Sequence, residues 1–124
     1  MKFCWVTISV KDLEPSLRFY REVVGLEIER RMSPNPDLEI VFLGAGGTQV
    51  ELIRDAKGKS YGAGEGISLG FEVASLEKTI EAAKALGCPP HTGPFQPNPS
   101  IKFIYIADPE GNRVQFVESR VRPD

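Results

Sequence analysis

The feature that most constrains this chain is that it nearly repeats itself. Ile8-Ser9-Val10-Lys11-Asp12-Leu13-Glu14 and Phe71-Glu72-Val73-Ala74-Ser75-Leu76-Glu77 each read as the end of a strand, a polar cap and a first helical turn, offset by 63 residues. Further along, Ile40-Val41-Phe42-Leu43 and Thr48-Gln49-Val50-Glu51-Leu52 match Phe103-Ile104-Tyr105-Ile106 and Asn112-Arg113-Val114-Gln115-Phe116 at offsets of 63 and then 64. The difference is one extra residue in the second turn. An offset this steady through strand, helix and hairpin points to duplication of one supersecondary unit. A half of about 60 residues buries too little surface to be robust alone, so both halves are expected to share one domain over residues 1–124.

Each half reads as β-α-β-β-β. Along Lys2 to Val10, Cys4, Val6, Ile8 and Val10 fall on one face and Phe3, Trp5, Thr7 and Ser9 on the other, which is strand periodicity. Asp12 is placed to cap a helix carrying Leu13, Leu17, Tyr20 and Val24 on one side, and Gly25 to end it. Leu26 to Arg31 reads as the second strand and Ser33-Pro34-Asn35-Pro36-Asp37 as a loop. Leu38 to Leu43 and Thr48 to Arg54 form a hairpin about Gly44-Ala45-Gly46-Gly47. In the second half, strand Ile67–Val73 leads to a helix capped by Ser75, with Leu76, Ile80 and Ala83 inward and Gly87 at its end. A short irregular strand near Thr92–Gln96 and a hairpin turning at Asp108-Pro109-Glu110-Gly111 follow. Module one is thus expected at about 1–55, a glycine-rich linker at about 56–66, and module two at about 67–119.

Composition narrows the partners. Net charge is −2 and the pI near 5.5, without a Lys/Arg run, which argues against nucleic acid or an anionic membrane surface. No apolar stretch approaches the roughly 18 residues of a membrane span. The opening Met1-Lys2-Phe3-Cys4-Trp5-Val6 runs straight into strand pattern, which reads as no signal peptide. Cys4 and Cys88 are too few for a disulfide framework, so a reduced, cytoplasmic protein is expected.

With the repeat in place, a family resemblance becomes visible. Val10-Lys11-Asp12-Leu13-Glu14-Pro15-Ser16-Leu17-Arg18-Phe19-Tyr20 followed by Val24-Gly25-Leu26 resembles the first module of the vicinal oxygen chelate superfamily. The close, Ile106-Ala107-Asp108-Pro109-Glu110-Gly111-Asn112-Arg113-Val114-Gln115-Phe116, is similar to that family's turn and final strand. The superfamily includes glyoxalase I, bleomycin-resistance proteins and extradiol dioxygenases. The resemblance implies an α+β fold of two tandem βαβββ modules, whose paired curved mixed sheets enclose a concave cavity. It also implies a homodimer.

Family enzymes hold a divalent metal between the first and last strands of each module, positions that here are Trp5, Glu51, Ser68 and Gln115. Glyoxalase I-like members would carry His or Gln, Glu, His and Glu there; this chain keeps only Glu51. An indole offers a donor and no lone pair, and neutral oxygens are poor ligands for Zn²⁺ or Ni²⁺. The expectation is therefore no metal and no cofactor. Strand alternation predicts an inward face holding Trp5, Phe42, Glu51, Ser68, Tyr105, Arg113 and Gln115: aromatic, with a few convergent polar groups, as small-molecule sites are. Trp5 either stacks on a flat ligand or fills the space as core. Glu51 is the candidate general base, or else a carboxylate paired with Arg113 or Arg54. Two functions follow: metal-free binding of a small aromatic or amphipathic molecule, as in bleomycin resistance, or a glyoxalase I-like lyase or isomerase with a weakly held metal. His91 is placed on an exposed loop, Cys88 lacks a nearby base, and Gly93-Pro94-Phe95-Gln96-Pro97-Asn98-Pro99-Ser100 is expected to be a lid, a dimer contact or a solvated loop.

Overall fold

The computed structural model describes residues 1–59 and 61–119; Ser60 of the expected linker and residues 120–124 of the expected domain lie outside the described residues. By its internal contacts the chain divides into two units, Met1–Gly62 and Ala63–Asp124, and the division falls within the glycine-rich stretch.

The first unit, module one, comprises β1 (Trp5–Ser9), α1 (Leu13–Arg18), a π turn (Phe19–Val23), β2 (Ile28–Asn35), β3 (Leu38–Leu43) and β4 (Gln49–Asp55). Its sheet order is β1-β4-β3-β2, with β1 parallel to β4 and the other pairs antiparallel. Alternation does what the pattern predicts. Ile8, Val41, Leu43, Val50 and Leu52 are buried on one face, and α1 with the π turn brings Leu13, Leu17, Phe19, Tyr20 and Val23 into the same core. Each such side chain contributes on the order of 1.5–3 kcal/mol. The opposite face of β1 stays open, with Trp5 47% exposed.

The helix departs from expectation. It loses its α pattern after Arg18 and finishes in a π turn in which Val24 N–H donates to Phe19 O at 3.2 Å. This wider turn buries Phe19 and Val23 beside Tyr20 and leaves Val24 only half-buried. Gly25, at φ 88°, then reverses the chain in a conformation that costs a side-chain-bearing residue energy. A second correction concerns Ser33–Asp37. The strand β2 continues through Ser33 and Pro34 to Asn35, because β2 is an edge strand and a proline there leaves no ladder bond unmade.

Module two comprises β5 (Ser68–Glu72), α2 (Leu76–Ala85), β6 (Pro90–Asn98), β7 (Ile101–Ala107) and β8 (Arg113–Ser119), in the order β5-β8-β7-β6. Here β5 and β8 are parallel. Ser75 caps α2 by accepting from Lys78 N–H at 3.3 Å. Leu76, Thr79 and Ala83 are buried, with Ile80 half-buried, against Ile104, Ile106, Val114 and Phe116. Asp108, 4% exposed, organises the β7–β8 turn: its carboxylate accepts from Glu110 N–H at 2.9 Å, Asn112 N–H at 2.8 Å and the Asn112 side-chain amide at 3.1 Å. The expected short strand at Thr92–Gln96 is a nine-residue edge strand, Pro90–Asn98, with repeated shifts of register against β7. His91 and most of the proline-rich segment therefore lie in a strand and not in a loop or lid; its prolines are tolerated because β6, like β2, is an edge. The chain is thus α+β, with two tandem modules that each pair a four-stranded mixed sheet with one helical layer.

Candidate functional site

On module one, the register that pairs Phe42 with Glu51 puts both on the open face, and the pairing of Thr7 with Glu51 adds the threonine. Trp5 stands edge-on to Phe42, ring centroids 5.2 Å apart at 78°. Such an arrangement sets the positive edge of one ring against the negative face of the other. Glu51 is 9% exposed, and its Oε1 accepts from the Thr7 hydroxyl at 2.5 Å, a charge-assisted bond that fixes the carboxylate's orientation. The cation expected near Glu51 is used elsewhere: Arg54 Nε donates to Glu39 at 2.9 Å on the helix side of the sheet. Arg30, which periodicity did not single out, lies with its Cζ 4.5 Å from the Phe42 ring centroid. A shift of register between Ile28 and Arg30 sets it opposite Phe42. That bulge, invisible in a hydrophobicity pattern, is why sequence reasoning missed it.

On module two, Tyr105 pairs with Gln115, Gln115 with Gly70, and Arg113 with Ser68. Arg113 Cζ lies 4.3 Å from the Tyr105 ring centroid, a cation–π contact. Phe103 and Tyr105 are edge-to-face at 6.0 Å, and Phe95 from β6 joins them at 5.3 Å from Phe103. So Trp5, Phe42 and Glu51 come together on one module, and Ser68, Tyr105, Arg113 and Gln115 on the other. Phe95, expected in a lid, a dimer contact or a solvated loop, packs on Phe103 and Tyr105 of module two.

Neither module's share of the four expected positions suits a divalent ion. Trp5 offers only an N–H, Ser68 and Gln115 are neutral, and one oxygen of Glu51 is already held by Thr7. Among the described residues no three of His, Cys, Asp and Glu come together as a metal-binding group. Cys88 is a poor nucleophile as well: burial pushes its thiol above the ordinary value, and the Asp108 carboxylate adds to the effect. His91, exposed, has its Nδ1 3.0 Å from the Thr92 hydroxyl of the same strand.

Two tandem modules, each a four-stranded mixed sheet with one helical layer, define the class of fold. The family model of the Glyoxalase/Bleomycin resistance protein/Dioxygenase superfamily matches residues 2–116, and the chain belongs to that superfamily. Among curated relatives it is 26% identical over 129 residues to a lactoylglutathione lyase of Haemophilus influenzae, covering 97% of this chain and 94% of that protein. Among solved structures it is similar in fold to a glyoxalase family protein of Bacillus cereus (TM-score 0.84, 19% identity, 96% of this chain and 94% of the other). It is likewise similar to the glyoxalase I of Leishmania major (TM-score 0.79, 22% identity, 95% and 86%).

Proposed function

We propose that this chain binds a small aromatic or amphipathic molecule on its open sheet faces without a metal, as the bleomycin-resistance branch of its family does. The observation that carries the reading is Trp5. It stands where the family places a metal ligand, is half exposed, and is braced by Phe42 as a stacking surface. Calorimetric titration with a panel of planar aromatic compounds tests it. Micromolar binding that Trp5→Ala weakens by about tenfold, equivalent to about 1.4 kcal/mol, supports the reading. Absence of binding across the panel overturns it.

A second reading is favoured by the curated relatives, whose names speak for it more than for the first: a lyase or isomerase of the lactoylglutathione type, with Glu51 as base. Thr7 would then hold the carboxylate in one orientation for proton abstraction. Turnover of a hemithioacetal that Glu51→Gln abolishes would replace the first reading with this one. Undetectable turnover, together with no calorimetric binding of Ni²⁺, Zn²⁺, Co²⁺ or Mn²⁺, would remove it.

The proposal extends to a cytoplasmic homodimer. Both cysteines are free, and among the described residues no helix is long and apolar enough to cross a membrane. A monomer at micromolar concentration by light scattering contradicts the dimer.

A further inference from the structure

We infer that the ligand of the module-one face is an aromatic anion, its acid group met by Arg30 and its ring by Trp5; this rests on the small-molecule reading above. The argument begins with two adjacent arginines that meet different fates. Arg31 points to the helix side, where it pairs with Glu14 at 3.1 Å and Glu39 at 3.5 Å. Arg30 points to the open face and has no ion-pair partner among the described residues. It remains so in a chain with 17 acidic against 15 basic residues.

Stacking on Phe42 does not consume its chemistry. A guanidinium lying over a ring keeps its in-plane N–H groups, which form the fork that matches a carboxylate in two bonds. Arg30 is exposed, so those donors can be reached. The apolar partner surface beside it is Trp5, 47% exposed and held edge-on against the buried Phe42 ring.

The register also gives the ligand a direction. Phe42 pairs with Arg30 on one side and with Glu51 on the other. Two steps across the sheet separate the backbones of these oppositely charged residues by about 10 Å. An acid group is drawn to β2 and repelled from β4. The reverse choice, a cationic ligand at Glu51, is less well served: that carboxylate is buried and already bonded to Thr7, whereas Arg30 is open.

Trp5 is the one tryptophan in the chain, so its emission reports on this face alone. The test titrates the full chain with 4-nitrobenzoate, 4-nitrobenzyl alcohol and 4-nitrobenzylamine, three quenchers of similar shape and different charge. The benzoate is expected to bind about tenfold more tightly than the alcohol, as a hydrogen-bonded charge pair provides. Arg30→Met, which keeps the apolar stack on Phe42, should bring the benzoate level with the alcohol. Arg113→Met, which removes the stacked cation of module two, should leave the preference intact. Equal affinity for benzoate and alcohol, tighter binding of the amine, or loss of the preference in Arg113→Met with retention in Arg30→Met each overturns the inference while sparing the small-molecule reading. If none of the three binds, that reading falls with it.

Discussion

In module one the third strand lifts Phe42 to the open face, and the arginine stacked on it comes from edge strand β2. In module two the equivalent residue is Tyr105, and its arginine comes from β8, nearer the middle of the sheet. The buried strand positions on the helix sides show no such divergence. Val41 and Ile104, Leu43 and Ile106, Val50 and Val114, Leu52 and Phe116 occupy equivalent places, and all are apolar and buried. The duplicated strand order rests on the packed face, where a polar substitution is costly. The opposite face is less uniformly buried, with Trp5 and Ser68 exposed, and there Trp5 stands opposite Ser68 in the repeat and Glu51 opposite Gln115. Likeness in the packed face keeps the fold; unlikeness in the open face gives each module its own chemistry.

The largest test of this equivalence lies in the cores. Leu52→Ala should cost about 2–5 kcal/mol and Phe116→Ala about 3–5 kcal/mol by denaturant unfolding, since both side chains are fully buried. If one is several-fold cheaper than the other, the modules do not share the load. Next come the turns. Asp108→Ala should cost about 2–3 kcal/mol, because a buried carboxylate that accepts three hydrogen bonds is lost. Module one turns instead through Gly44–Gly47, and Ala45→Ser, on its exposed tip, should change stability by less than about 0.5 kcal/mol.

A finer contrast sits in the helices. Ser16 and Thr79 are repeat equivalents, both buried. The Thr79 hydroxyl donates to Ser75 O at 3.1 Å, whereas the Ser16 hydroxyl has no hydrogen-bond partner among the described residues. Ser16→Ala should therefore be neutral or stabilising by about 1 kcal/mol, while Thr79→Val should cost about 1 kcal/mol. Thermal melts of the two variants would separate them.

The smallest effect concerns pH. The Glu39 carboxyl is held below its ordinary value, first by the Arg54 hydrogen bond, with partial burial opposing and Arg31 assisting. A folded value below the unfolded one means a contribution that is full above the unfolded value. It is lost as pH falls through the folded one. Stability attributable to Glu39 should begin to decline near the ordinary glutamate value of about 4.3. Glu39→Gln should flatten that part of a melting-temperature profile, leaving pH 7 nearly unchanged, as exposed pairs do.

Much of this arrangement is legible in the sequence because the chain says it twice. Strand β3 falls on Leu38–Leu43 as period-two alternation beside a glycine turn predicts. Ser75 caps where a serine before an apolar helical run should. Edge strands are harder to read. Prolines at 90, 94 and 97 suppress the strand pattern of β6, yet an edge tolerates what a central strand does not. The open-face residues Trp5, Glu51, Tyr105 and Arg113 follow from alternation once the register is known. Arg30 does not, because the bulge that presents it depends on backbone geometry that hydropathy does not encode.

The π turn at Phe19–Val23 also keeps a record of ancestry. Ser16 and Thr79 stand 63 residues apart, but the helix-ending Gly25 and Gly87 stand only 62 apart. Between those landmarks module one has one residue more than module two, and the surplus falls where the hydrogen-bonded ring widens from the α to the π form. The offset is 63 again at Ile40 and Phe103, so module two regains the residue before its third strand, across the edge strand β6 with its repeated shifts of register. The widened turn absorbed the odd residue without displacing the strands on either side.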